Sequence, residues 1–201
     1  MPLAQNLSRL TEAAYLQLER QAEIKSEYFN GEMFAMAGGT SFHSLIAANL
    51  SGELTTRLKS TDSVAYNSDL RVKIEATGLF TYPDVSVVCG LKRFLDEHKD
   101  MLLNPTLLIE VLSDSTEGYD RGKKFEHYRQ IPTCREYLLV SQKEPRIEQF
   151  IRQADGEWLL KEAVGLNAEL KLPSLGIALP LAEVFAKVEF PPAPLRMRTS
   201  G

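Results

Sequence analysis

Phe42, Leu45, Ile46, Leu50 and Leu54 recur at the spacing of one helical face. The spacing predicts a helix capped by Thr40 or Ser41 and running to about Leu58. An earlier helix starts at Thr11, carries Ala14, Tyr15 and Leu18 as its inner stripe and ends near Arg20. Between the two the pattern changes from helical to alternating. SEYF and EMFAMA flank Asn30-Gly31, the dipeptide of a tight two-residue turn, so a hairpin begins near Ser26 and breaks at Gly38 and Gly39. Further on, VAYNSDLRVKI, DVSVV and TLLIEVL read as three strands, with the polar, helix-compatible stretch LKRFLDEHKDM inside the second loop. A third helix over 119–130 stops before Pro132. The strand EYLLVS follows, then two alternating runs, RIEQFIR and EWLLKEAV, around the turn QADG. The pattern fits an α/β (α+β) fold forming a single domain over 1–189, with a proline-containing tail over 190–201.

One residue breaks the pattern. Glu110 lies inside TLLIEVL, the most apolar run of the chain, where an unpaired carboxylate would cost several kcal/mol or take up a proton. It therefore needs a cation, a donor cluster or a metal. Asp84 stands at the mouth of the strand DVSVV, directly after Pro83. If these two strands are neighbours, two carboxylates converge, and such a pair suits Mg²⁺, which keeps several waters of its own. The structural alternative is a strand-capping Asp84 and a buried ion pair at Glu110.

Charge narrows the partners. The net charge is -4 and the pI about 5.5, against a protein that coats nucleic acid or membrane by charge alone. The two cysteines, Cys89 and Cys134, lack any CxxC spacing, so neither a disulfide framework nor a zinc site is suggested. No apolar leader or span of about 20 apolar residues is visible, and a cytoplasmic, soluble protein without membrane contact is expected.

YPDVSVV, LNPTLLIEVLSDSTEGYDRGKKFEHYR and REYLLV, with support from SEYFNGEMFAMAGGTSFHS and NSDLRV, are similar to a large bacterial family. It is catalogued by resemblance to restriction endonucleases, long as a domain of unknown function, and is a branch of the PD-(D/E)XK nuclease superfamily. The resemblance implies a restriction-endonuclease-like core, a mixed central sheet flanked by helices, and DNA phosphodiester hydrolysis dependent on Mg²⁺ or Mn²⁺. It further implies that Asp84 and Glu110 bind the metal, with the Val111 carbonyl as a third ligand, and that Glu27 reaches the metal through water. Without the resemblance, Glu27 is equally a hairpin-edge carboxylate in solvent. The superfamily places a lysine two residues after the second acid, where this chain has Leu112. The resemblance moves that role to the following helix, which offers Lys123 and Lys124. On a regular helix Lys124 borders the face of Phe125 and Tyr128, whereas Lys123 points with His127 into solvent, so Lys124 is the catalytic candidate.

His43 shares its helix face with Ala47, Leu50 and Leu54, and the helix dipole at that first turn favours a neutral ring. It is a candidate for the site, or a core histidine. Asp69 reads as a cap or a supporting acid, His98 as a surface residue, and Ser113, Ser115 and Thr116 as turn hydroxyls that satisfy backbone groups. Phosphate contacts fall to Arg71, Lys73, Lys92, Arg93, Arg121, Lys123 and Lys124. A nuclease that acts on DNA, as a homodimer, is the leading expectation. The competing ones are an inactive nucleic-acid- or protein-binding module of the same fold, and a structural assembly protein.

Overall fold

In the computed structural model, which describes residues 9–190, α1 (Glu12–Glu19) is capped by Thr11, whose Oγ1 accepts from Ala14 N at 3.2 Å. Tyr15 faces inward as its spacing implies, but Leu18 is exposed and Glu19 is buried in its stead. Hydrogen bonding explains the exchange: Glu19 Oε1 accepts from Ser26 N at 2.8 Å and from the Tyr82 hydroxyl at 2.7 Å. A carboxylate supplied with two donors can hold an inner position that an alternation rule assigns to leucine.

β1 (Ser26–Phe29) and β2 (Glu32–Ala35) form the expected hairpin. Asn30 (φ 51°) and Gly31 (φ 88°) both adopt the left-handed backbone that its two-residue turn requires. α2 (Ser41–Leu58) is capped by Thr40, whose Oγ1 accepts from His43 N at 3.1 Å. Ile46, Leu50, Leu54 and Leu58 are buried, whereas Phe42 is exposed, contrary to the stripe: the core begins one turn further in, at Ile46.

Eleven strands and one turn-rich segment complete the sheets. β3 (Val64–Asn67) and β4 (Arg71–Ile74) were expected as one strand, but a turn in which Asp69 N donates to Asn67 Oδ1 at 3.1 Å sends them to different sheets. β5 (Leu79–Thr81) and β6 (Val85–Val88) follow. The polar stretch after β6 is not helical. It folds back on itself, Leu95 N donating to Met101 O and Leu103 N to Arg93 O, and yields β7 (Met101–Leu102). Next come β8 (Leu107–Val111), β9 (Glu136–Val140), β10 (Arg146–Arg152), β11 (Trp158–Val164), β12 (Glu169–Leu172) and β13 (Ile177–Pro180).

The sheet orders are β11-β10-β9-β8-β6-β3 and β2-β1-β5-β4-β7, with β12 and β13 paired separately. Both larger sheets are mixed, since β8 runs parallel to β9 and β4 to β7 while their other pairs are antiparallel. The mixed α/β architecture expected from sequence is present, in two sheets rather than one. β8 is buried on both faces: Leu107, Ile109 and Val111 pack with α2, and Leu108 and Leu112 with Tyr128 and Tyr137. Glu110 therefore points to the second face.

The helix expected over 119–130 starts earlier and is bent. It consists of α3 (Glu117–Tyr119), a π-helical turn (Asp120–Lys124) and α4 (Phe125–Tyr128). Asp120, Lys124 and Tyr128, four residues apart, are its buried row. His127 is not the surface residue its position suggests, because its Nδ1 lies 2.8 Å from Thr77 Oγ1 and its ring packs edge-on against Phe29 at 4.8 Å. α5 (Leu181–Val184) lies near the end of the described chain, and the expected tail over 190–201 falls, beyond Phe190, outside the described residues. Among the described residues no helix is long and apolar enough to cross a membrane.

Asp100 joins α1 to β4. It accepts from Arg20 Nε at 2.9 Å and Nη2 at 3.0 Å, and from the buried Arg71, and the Arg20 contact holds its carboxyl below the usual range. Asp100→Asn is expected to lower stability at pH 7 by about 1.5–3 kcal/mol, the range for a hydrogen bond to a charged group. A carboxylate whose folded pKa is depressed stabilises above its unfolded pKa of about 4 and loses that contribution as pH falls through the folded value. Urea unfolding should therefore separate the two proteins at pH 7 and narrow the gap as pH falls below about 4; a pH-independent gap would contradict the ionic origin.

Candidate active site

β6 and β8 are antiparallel neighbours with Val85 opposite Ile109, so Asp84, one residue before β6, comes beside Glu110. Asp84 Oδ2 accepts from Val111 N at 2.7 Å, which fixes this carboxylate to the neighbouring strand. His43 Nε2 approaches the same oxygen at 3.2 Å from the first turn of α2. That turn is itself tied down: the Thr40 hydroxyl donates to Gln142 Oε1 at 2.7 Å, and Gln142 Nε2 donates to Leu112 O at 2.6 Å. One amide thus holds the start of α2 against the end of β8. Gly39 completes the fit, since a Cβ there would lie 2.8 Å from His43 Nδ1.

Glu110 is only 4% exposed, and its partners come from the bent helix. The Tyr128 hydroxyl donates to Glu110 Oε1 at 2.6 Å, and Lys124 Nζ lies 3.0 Å from the same oxygen. The ammonium is also 3.4 Å from Glu27 Oε1 on β1 and 3.4 Å from Asp120 Oδ1. Thr81, on β5, donates its hydroxyl to Glu27 Oε1. The buried row of the π-helical turn delivers Asp120 and Lys124 together, and the next turn delivers Tyr128.

The electrostatics follow from the count of charges. Three carboxylates (Glu27, Glu110 and Asp120) lie within 3.4 Å of one buried ammonium, and a fourth, Asp84, stands beside Glu110 with His43 as its partner. Burial raises Glu110 well above the usual carboxylate range against the pull of Lys124, with Asp120 and Asp84 adding to the rise. Burial also raises Asp120. For Lys124, burial works against the charge, but Glu110, Glu27 and Asp120 outweigh it and hold the ammonium protonated. His43 is raised by its hydrogen bond to Asp84, a shift opposite in sign to the one the helix dipole alone would give.

A hard divalent cation suits this chemistry. The site has an excess of oxygen acids, and Asp120 Oδ1 is buried with only the 3.4 Å ion contact of Lys124. Among the described residues no group of three or more His, Cys, Asp or Glu forms a ready-made cage. Mg²⁺ does not need one, because it binds through one or two carboxylates and fills the rest of its octahedron with water and phosphate oxygens. Asp84 and Glu110, with the Val111 carbonyl at the end of β8, are the residues that would hold it.

The sequence model of one family, Uma2, described as "Putative restriction endonuclease", matches residues 13–182. The chain belongs to the Uma2 family. Two Synechocystis relatives within reach of it are uncharacterized proteins: sll1609 is 39% identical over 168 residues, covering 84% of this chain and 95% of its own length, and slr1290 is 36% identical over 182 residues, covering 90% and 94%. A crystal structure of a protein from Anabaena variabilis, described as a "putative nuclease belonging to DUF820", superposes with a TM-score of 0.67 at 20% identity, covering 86% of this chain and 96% of that one. At that identity the likeness bears on the fold, which the Uma2 chain shares with it.

Glu27, His43, Asp84, Glu110 and Lys124, the side chains singled out by sequence, all come together in this Uma2 site. Asp120 and the hydroxyls of Tyr128 and Thr81 were not foreseen; the i, i+4 spacing of Asp120, Lys124 and Tyr128 was the available signal. Lys123 is 72% exposed and pairs with Glu126. Asp69 belongs to the β3–β4 turn, paired with Lys25, and Ser113 Oγ accepts from Thr116 N, so both behave as local structural groups.

Proposed function

We propose that the chain is a metal-dependent endonuclease that hydrolyses DNA phosphodiester bonds. The observation that supports this most is the buried Lys124 ammonium 3.0 Å from Glu110 on a strand next to Asp84, in a member of the Uma2 family. Mg²⁺ or Mn²⁺, when bound, would supply Lewis acidity towards the phosphate and activation of water. The chain's own groups do the positioning. Val111 N and His43 fix Asp84, and Tyr128 fixes Glu110. Glu27, held by Thr81, keeps the ammonium aimed between the acids. Lys124 orients the attacking water and offsets charge that develops on the phosphate.

Incubating purified protein with labelled single- and double-stranded DNA, with Mg²⁺, Mn²⁺ or a chelator, tests this directly. Internal cleavage is expected with either metal, none with the chelator, and none for Asp84→Asn. Gly39→Ala, which crowds the His43 ring, is expected to slow cleavage by about 10–100-fold, on the scale of a 1 Å misplacement, with an unchanged melting temperature. Absence of turnover under all conditions would leave the inactive binding module of the same fold.

A further inference from the structure

The cations that duplex DNA would need are already engaged. Of the seven lysines and arginines picked out for phosphate contact, six are ion-paired within the chain: Arg71 with Asp100, Lys73 with Glu12, Arg93 with Glu75, Arg121 with Glu117 and Glu148, Lys123 with Glu126, and Lys124 with the site acids. Each would have to give up a carboxylate to take a phosphate, so counterion release offers little net affinity.

Exposed aromatic rings stand in the same place. Phe34 on β2 is 49% exposed and directly opposite Glu27 in the hairpin register, so its side chain lies on the Glu27 side of that ladder. Tyr119, 37% exposed, has its phenol against Glu27 and its ring centroid 5.9 Å from Lys124 Nζ. Neither ring belongs to the buried core. Together they border the acids on the hairpin side and the π-turn side. Phosphate attraction is weak here for duplex and single strand alike, so the aromatic faces decide: unpaired bases stack on them regardless of sequence, whereas the bases of a duplex are already stacked on one another.

Building on the nuclease reading, we propose that the substrate is an unpaired DNA strand, recognised by stacking of its bases on Phe34 and Tyr119. The test is binding in chelator, where no cleavage occurs, measured by fluorescence anisotropy. The probes are a 20-nucleotide single strand, its duplex, and an abasic strand of equal length and charge. The single strand is expected to bind at least about tenfold more tightly than the duplex and the abasic strand. Phe34→Ala and Tyr119→Ala should each weaken single-strand binding by about 5- to 150-fold, the factor one stacked base carries, while Phe34→Trp and Tyr119→Phe, which keep an aromatic face, retain it. Duplex or abasic DNA bound as tightly as the single strand, or alanine variants with unchanged affinity, would overturn the proposal. Cleavage in metal is scored separately. Metal-dependent cutting with no single-strand preference in binding sinks the strand assignment and spares the nuclease, while strand-selective binding without cutting does the converse.

Discussion

Lys124→Ala is expected to abolish metal-dependent cleavage, by at least about 10²–10³-fold, the usual cost of removing one preorganised donor from a transition state. Lys123→Ala should leave the rate of bound substrate unchanged. The contrast follows from burial. Lys124 is buried with its ammonium 3.0 Å from Glu110, whereas Lys123 is exposed and pairs with Glu126 on its own helix. Removing Lys124 also leaves Glu27, Glu110 and Asp120 together without their ammonium, a cost of about 3–5 kcal/mol in stability. A divalent ion added to Lys124→Ala should restore much of that stability without restoring cleavage, which separates a missing catalytic group from a broken fold. An active Lys124→Ala, or an inactive Lys123→Ala, would place the function on the wrong lysine.

Metal itself should raise the melting temperature of the native protein. At a hundredfold excess over Kd, a single site contributes about 2.7 kcal/mol, or roughly 5–10 °C for a chain of this size. Asp84→Asn and Glu110→Gln should each remove the shift, because the two acids belong to one site on adjacent strands. Asp69→Asn should keep it, since Asp69 pairs with Lys25 in the β3–β4 turn. Scanning calorimetry with and without Mg²⁺ distinguishes these cases; a shift that survives in both site variants would move the metal elsewhere.

What could be read from sequence followed how local its cause was. The hairpin was legible because Asn30-Gly31 admits almost no other backbone. Glu110 was legible as an anomaly, a charge in an apolar strand; the family resemblance pointed to a lysine on the following helix, and helical spacing chose Lys124 over Lys123. Glu19 was not, because its donors, Ser26 N and the Tyr82 hydroxyl, come from elsewhere in the chain and nothing in α1 announces them. The break between β3 and β4 was hidden for a different reason: alternation continues across the turn, so the period of two gives no sign that the partners change. Asp120 was not singled out although it lies four residues before Lys124 on the same helix face, and Tyr128 was read only as a core residue although its hydroxyl serves Glu110.

The Gln142 amide also bears on the order of events during synthesis. It connects Thr40, 102 residues earlier, to the end of β8, and β8 must in turn pair in parallel with β9. Contacts of such long separation form only after the entropy of closing large loops has been met, so they are late in folding. A ribosome-bound chain that has not yet emerged past residue 142 holds the carboxylates and the lysine but lacks the tie that sets α2 and His43 against them. On the nuclease reading proposed above, the site is therefore completed only with the fold as a whole.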